Sequence, residues 1–362
     1  MSTEFRELLR KVGSGTHTSK PLSRTESQRA TTMMWTGEAT PAQIGAFMIA
    51  HRIKRPTPPE IAGMLDAYDA LAQKIPALDD PADNSANTEV PPWLFGNPYD
   101  GRSKTSPVSI VVALVLGAAG QKVLLHGAER MATKEGLPLV EVWDALAVPW
   151  RQMQPKDLRD ILSAYNVAFA YQPNLLPQSV LMAQYRAEIG KRPPFATLEL
   201  IWSPYAAPVR LVAGFVHPPT ESNIREALML RGATNLITIK GLEGSPDLPQ
   251  SRTAIVGLQK SNAEFIRLTL SCHDYGITAE DVPIWSAADL ARYITALIYP
   301  TATADTTVEV EALRQGVLWN SGFLLWQSGI TGSLASGITH AKALLNNGAV
   351  GDVLTKLKAA VS

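Results

Sequence analysis

The stretch GNPYDGRSKTSP, residues 96–107, leads into the apolar run VSIVVALVLGAAG (108–120), and KVLLHG (122–127) follows at once. Ser106-Pro107 reads as a helix opening, a cap residue followed by proline, with the helix running to about Gly117. KVLLHG reads as a short buried strand. A polar loop, an apolar helix and a buried strand in succession point to an α/β unit. The loop holds two glycines, one acid, two bases, three Ser/Thr hydroxyls and two prolines. A loop that cradles phosphate turns several backbone N–H groups inward, and glycine makes such turns possible. Pro98 and Pro107 carry no N–H. The segment therefore reads as a phosphate loop that has been altered.

Upstream, three helix starts follow one another. Ser23–Glu26 has the capping-box pattern, and Thr40-Pro41-Ala-Gln43 and Thr57-Pro58-Pro59-Glu60 repeat it with proline at the first helical position. Ile44, Phe47, Met48 and His51 share one helical face, and Ile61, Met64, Leu65, Tyr68 and Leu71 share another. These residues predict a small all-helical unit. PALDDPADNSANTEVPPWLF (76–95) reads as a linker. Downstream, Glu141–Ala147 reads as a helix and 155–189 as a helical stretch broken by two prolines. Strands are expected at Ala196–Trp202, Val209–Phe215, Leu236–Lys240, Thr253–Leu258 and Phe265–Leu270, with a helix at Glu221–Arg231. Helices return at 286–298, 303–327, 333–346 and 349–360. The expected fold is α/β: a large domain with a mixed, mostly parallel central sheet flanked by helices, and a small all-helical N-terminal domain.

The 362 residues suffice for two domains. Lys+Arg and Asp+Glu balance at 33 each, so there is no global signal for nucleic acid or an anionic membrane. A single cysteine, Cys272, excludes a disulfide framework within the chain and fits a reducing compartment. The segment MSTEFRELLRKVGSG is charged from residue 4 and does not read as a signal peptide. The run 108–120 is too short to span a bilayer. A cytoplasmic protein is expected. There is no Cys/His metal cluster, P-loop, G-x-S-x-G elbow or Rossmann fingerprint.

Several stretches in order resemble the anthranilate phosphoribosyltransferase family. They are WTGEATPAQIGAFMIAHRIK (35–54), GQKVLLHGAE (120–129), VWDALAV (142–148), YRAEIGKRPPF (185–195), TNLITIKGLEGSPDL (234–248) and VLWNSGFLLW…SLASGITHAKALLNNGAV (317–350). The resemblance implies a homodimer joined through the helical domain. It places residues 1–85, with helices from about 155–189, in that domain, and residues 86–154 and 190–362 in the α/β domain. It implies transfer of a phosphoribosyl group from phosphoribosyl pyrophosphate to an amine, with magnesium holding the pyrophosphate. Such chemistry is mostly electrostatics and positioning.

The family's first phosphate loop has the pattern G-T-G-G-D-G, then Asn, Ser and Thr. Here Gly96, Asp100 and Gly101 match, while Asn97, Pro98 and Tyr99 stand at the positions of Thr, Gly and Gly. Ser106 stands for the Asn, Val108 for the magnesium-holding Ser, and Ser109 for the Thr. Arg102 and Lys104 are added, and either attract an anion or lie as solvated charges on an exposed turn. The second element, K-H-G-N, is Leu125-His126-Gly127-Ala128 here, followed by Arg130 and Lys134. His126 is either a satisfied buried histidine or a residue facing the cleft. Arg186 matches the arginine that grips the acceptor's carboxylate, and is either that contact or a helix-surface arginine paired with a neighbour. The magnesium-binding Asp-Glu pair becomes Pro246 and Asp247, with Glu243 nearby, which makes a weak site for an ion that wants several oxygen ligands. With four elements of one step altered together, ordinary anthranilate phosphoribosyl transfer is expected to be lost or much reduced.

Three readings follow. One is a glycosyltransferase-like enzyme acting on another acceptor or donor. The second is a dimeric nucleic-acid binder, with Arg52, Lys54, Arg55, Arg102, Lys104, Lys191 and Arg192 as contributors and affinity falling steeply in salt. The third is a non-catalytic binder of an anionic metabolite.

Overall fold

In the computed structural model, which describes residues 2–15, 17–78, 90–260, 264–299 and 307–361, the chain begins with four helices. They are α1 (Thr3–Gly13), α2 (Arg24–Trp35), α3 (Pro41–Lys54) and α4 (Pro58–Leu71). Ser23 and Glu26 cap α2 reciprocally, and Thr40 and Gln43 do the same for α3. Reciprocal caps satisfy two N–H groups that the helix itself leaves without partners. The predicted apolar faces are buried, including Ile44, Phe47 and Met48 on α3 and Ile61, Met64, Leu65 and Tyr68 on α4.

The large domain follows as β1 (Trp93–Gly96), α5 (Ser109–Ala118), β2 (Val123–Gly127), α6 (Leu139–Ala145), α7 (Pro155–Tyr165) and β3 (Val167–Tyr171). Then come α8 (Gln172–Leu175), α9 (Ser179–Ile189), α10 (Phe195–Leu198), β4 (Arg210–Gly214), α11 (Pro218–Leu230) and β5 (Asn235–Ile239). The chain closes with β6 (Ala254–Lys260), β7 (Ile266–Leu270), α12 (Ala287–Ile298), α13 (Val308–Gln327), α14 (Leu334–Asn346) and α15 (Ala349–Val361). The described strands form one sheet in the order β3-β2-β1-β4-β5-β6-β7. Neighbours from β3 to β5 pair parallel, while β6 and β7 are antiparallel additions. The fold is thus the expected helical domain joined to a mixed, mostly parallel sheet with helices on it. Helix α5 is buried almost all round, with Ile110 to Leu116 inaccessible, as its unbroken apolar sequence requires.

Four local readings need correction. Trp93–Gly96 belongs to the sheet as β1, not to a linker, and residues 79–89 of that linker lie outside the described residues. Ala196–Trp202 is a helical turn and its exit, not a strand, because Pro193 and Pro194 launch a short helix there. Val167–Tyr171 is a strand inside the stretch read as helical, since Asn166 takes a left-handed conformation (φ 65°) and ends α7. Helix α5 starts at Ser109 and not at Ser106, whose hydroxyl donates to the Pro283 carbonyl and accepts the Trp285 N–H. Residues 303–306 of the long helix read at 303–327 lie outside the described residues.

Within 155–189, helix α7 packs on β3 and α15, whereas α9 reaches α2 and α3 of the helical bundle. A charged network joins the two units: Arg231, at the end of α11, pairs with Asp66 and Asp69 of α4, and Arg24 pairs with Asp66 as well.

Candidate functional site

Strand β1 lies between β2 and β4, so the chain winds outward in both directions from that point. In open parallel sheets the crevice beyond the carboxyl ends of the strands at such a reversal is where ligands bind. A cleft of about 400 Å³ opens there. Pro98 after β1, Phe215 and His217 after β4, Thr220 in the first turn of α11, Arg52 of the helical domain, Arg192 and Glu243 line it.

The altered loop runs along this cleft, and its retained glycines answer to packing. A Cβ on Gly96 would stand 1.8 Å from the Leu200 carbonyl oxygen, so β1 can approach the 195–202 turn only with glycine there. Gly101 has φ 72° and lies against Gly136, where a Cβ would meet backbone at 2.5 Å. Gly127 faces the Phe169 ring. The Ser109 hydroxyl donates to the Asn97 side chain at 3.4 Å in the interior.

Arg102 is buried and turned inward. Its Nη1 donates to Asp247 Oδ2 at 2.7 Å and to Ser245 Oγ at 2.8 Å, and Nη2 donates to the Thr105 hydroxyl. Asp247 also accepts the Val108 N–H at 3.3 Å, at the start of α5. A carboxylate thus occupies the helix N-terminus, which otherwise attracts anions. Burial pushes the Asp247 carboxyl above its ordinary range, against the opposing pull of Arg102.

Glu243 occupies the rest of the loop. Its carboxylate accepts the N–H groups of Ser103 (3.1 Å), Lys104 (3.0 Å) and Thr105 (3.1 Å). It also accepts the hydroxyls of Ser103 and Thr105 at 3.1 Å. Lys134 Nζ lies at 2.8 Å and donates to the Gly101 carbonyl at 2.7 Å, and Arg102 Nε lies 3.4 Å from the same carboxylate. Burial alone would raise this carboxyl, but Lys134 and the backbone donors hold it far below the usual range. Lys104, by contrast, extends its side chain into solvent.

His126 is fully buried behind Tyr99 and Trp202, edge-on to both rings. The Tyr99 hydroxyl pairs with Nδ1, and burial pushes the imidazole down to about 3. At neutral pH it is uncharged and contributes no cation to the cleft. The ring lies in the core, with Nδ1 paired to Tyr99 and Nε2 buried without a hydrogen-bond partner among the described residues.

Arg186 is also buried. Its Nη1 donates to Glu199 Oε1 at 2.5 Å and approaches Met131 Sδ at 3.1 Å, while Nη2 lies 3.7 Å from Asp100. Asp100 in turn is held by Arg192 at 2.7 Å. Burial raises the Glu199 carboxyl against the pull of Arg186. Trp35, Tyr68, Phe195 and Met182 wall a narrow chamber around this pair. The guanidinium expected to grip a ligand carboxylate therefore already holds one of the chain's own. Glu199 was not found by sequence reasoning, because its segment read as a strand. Ser245 and Thr105, which fix Arg102, carried no signal either.

Among the described residues, no group of three or more His, Cys, Asp or Glu gathers as metal ligands. Asp247 faces a guanidinium, Glu243 faces an ammonium and backbone N–H groups, and Pro246 and Val108 have no side-chain oxygen. This set does not fit magnesium, which needs free oxygen ligands. Of the basic residues expected to contact nucleic acid, Lys54 pairs with Glu60, Arg102 with Asp247 and Arg192 with Asp100. Arg52, Arg55, Lys104 and Lys191 remain exposed. No described helix is long and apolar enough to cross a membrane.

Residues 6–72 match the helical bundle domain of a glycosyl transferase family, and residues 100–350 match the a/b domain of that family. The chain belongs to this family. It is similar to the anthranilate phosphoribosyltransferase of Bacillus subtilis, with 26% identity over 344 residues, covering 94% of each chain. With that of Polaromonas sp. it shares 26% over 327 residues, covering 90% of this chain and 88% of the relative. The fold of this glycosyl transferase family member superposes on the anthranilate phosphoribosyltransferase of Thermus thermophilus with a TM-score of 0.77 and 20% identity, over 99% of both chains. The Saccharomyces cerevisiae enzyme in complex with PRPP and Mg gives a TM-score of 0.78 at 14% identity, over 99% of this chain and 97% of that one.

Proposed function

We propose that this anthranilate phosphoribosyltransferase-like protein binds an anionic ligand in the cleft at the β1–β4 reversal and is poor or inactive in phosphoribosyl transfer to anthranilate. One observation carries the reading: the acid available for magnesium, Asp247, is buried in an ion pair with Arg102 at 2.7 Å. A metal that must neutralise a leaving pyrophosphate has no free carboxylate to stand on, and electrostatic stabilisation of the leaving group falls accordingly. The cleft's own chemistry favours an anion, with Arg52, His217 and the first turn of α11 on its wall. A dimer through the helical domain accords with an open groove between α1 and α3, where Val12, Ala46, Ile49 and Ile53 are gathered. Ile53 is 67% exposed in the single chain, which is costly for a large aliphatic side chain beside other apolar groups.

Calorimetric titration of phosphoribosyl pyrophosphate, with and without magnesium, tests the reading, together with a fluorescence assay of anthranilate consumption. Weak binding that magnesium does not strengthen, and no turnover, are expected. Micromolar, magnesium-dependent binding with turnover would overturn the reading.

A further inference from the structure

The donors gathered on Glu243 make up a complete oxyanion site, and the ion filling it is part of the chain. Backbone N–H groups from Ser103, Lys104 and Thr105 converge on one carboxylate, as they do in nests that bind phosphate. Two hydroxyls and an ammonium add charge-assisted bonds. We propose that this is an anion site for a phosphate-type oxyanion, kept shut by Glu243, which an incoming anion must displace.

Two observations favour a latch over a fixed structural bond. Glu243 has φ 56° and ψ 23°, a left-handed conformation that a non-glycine residue adopts at a cost. Glu243 and Gly244 also line the open cleft, so the released side chain has space to swing into, and an anion has a route in. Removing a bonded carboxylate from a site normally leaves its partners unsatisfied. A phosphate group with several acceptor oxygens restores every one of those bonds. The proposal rests on the cleft being the ligand site, and not on whether phosphoribosyl transfer survives.

Inorganic pyrophosphate is the probe, titrated calorimetrically in the presence of a chelator so that no metal contributes. Wild type, Glu243→Ala, Glu243→Gln and the double variant Glu243→Ala/Lys134→Ala are compared, each checked for an unchanged circular dichroism spectrum. Loss of the competing charge should tighten binding by about tenfold or more in Glu243→Ala, given the strength of charge-assisted bonds. Glu243→Gln, which keeps the shape, should also gain. Removing Lys134 as well should cancel most of the gain. If Glu243→Ala does not fold, the Gln variant decides alone. Equal affinity in wild type and both single variants, or no binding in any of them, would overturn the latch. Binding confined to the Glu243 variants without metal, with no turnover in wild type, supports the latch and the reduced transferase together. Magnesium-dependent binding and turnover in wild type would defeat only the latter.

Discussion

Replacing Arg102 by methionine keeps the bulk of the side chain and removes its charge. Arg102 and Asp247 leave only 3% and 4% of their side chains exposed, so the variant strands a carboxylate in the interior. Stranding one partner of a buried pair costs about 3–5 kcal/mol. With an m value of about 2–3 kcal/mol per molar urea, the unfolding midpoint falls by about 1–2.5 M. The double variant Arg102→Met/Asp247→Leu removes both charges and should recover much of that loss. It should not recover all of it, because the Val108 N–H then loses its acceptor, at about 1–3 kcal/mol. The pH dependence has a defined sign. Burial already raises the folded-state Asp247 carboxyl, and Arg102 opposes that rise. Without Arg102 it rises further, so the neutral acid becomes the stable folded form over a wider range. A group raised on folding contributes its stability below its unfolded value and loses it as pH climbs through the folded one. The defect in Arg102→Met should therefore shrink as pH is lowered from 7 toward 4. Urea unfolding followed by tryptophan fluorescence at both pH values measures this. A single variant as stable as wild type, or a double variant less stable than the single, would refute the assignment of Asp247 as an obligate partner of Arg102.

Burial sets His126 at about 3, so its ring should show no NMR titration between pH 8 and 5, and a transition near 6 would place it in the cleft after all. Tyr99→Phe leaves Nδ1 without its partner and should cost about 1–3 kcal/mol in urea unfolding, with little effect expected on ligand affinity. Burial works to raise Glu60, but His51, Lys54 and the Leu22 N–H hold it at about 2. Its stabilisation, about 3 kcal/mol from a shift of this size, is present above the ordinary glutamate range and is lost as pH falls toward 2. Glu60→Gln should abolish that acid-sensitive component in thermal melts, and an unchanged acid limb would count against it. Ile53→Glu should convert a dimer to a monomer in light scattering, and a dimer persisting at micromolar concentration would move the interface elsewhere.

The fold was legible wherever local chemistry and burial agreed. The capping boxes of α2 and α3, the apolar helix α5 and the strand VLLHG each state their element in a few residues. The misread segments are those where a short buried run serves equally well as helix or strand. VAFAY joins the sheet and FATL makes a helical turn, and only the left-handed Asn166 and the paired prolines separate the two outcomes.

The site was legible as composition and not as pairing. The loss of glycines, lysine and acids around the loop is visible in residues 96–128 and 241–248. What replaced them is not, because Arg102 and Asp247 lie 145 positions apart and Glu243 and Lys104 lie 139 apart. Arg186 and Glu199 are closer in sequence, yet their bond needs the 195–202 turn that periodicity misplaced. In each case a basic group or an N–H cradle suited to an external anion meets a carboxylate of the same chain. Because all three pairings involve elements at one end of the sheet, they make one arrangement. Acid and base at that end of the sheet are paired within the fold. Under the proposed latch, affinity for an anion is the difference between its bonds and those of the carboxylate it displaces, so a carboxylate ligand should gain little and a phosphate, with more acceptor oxygens and more charge, should gain most.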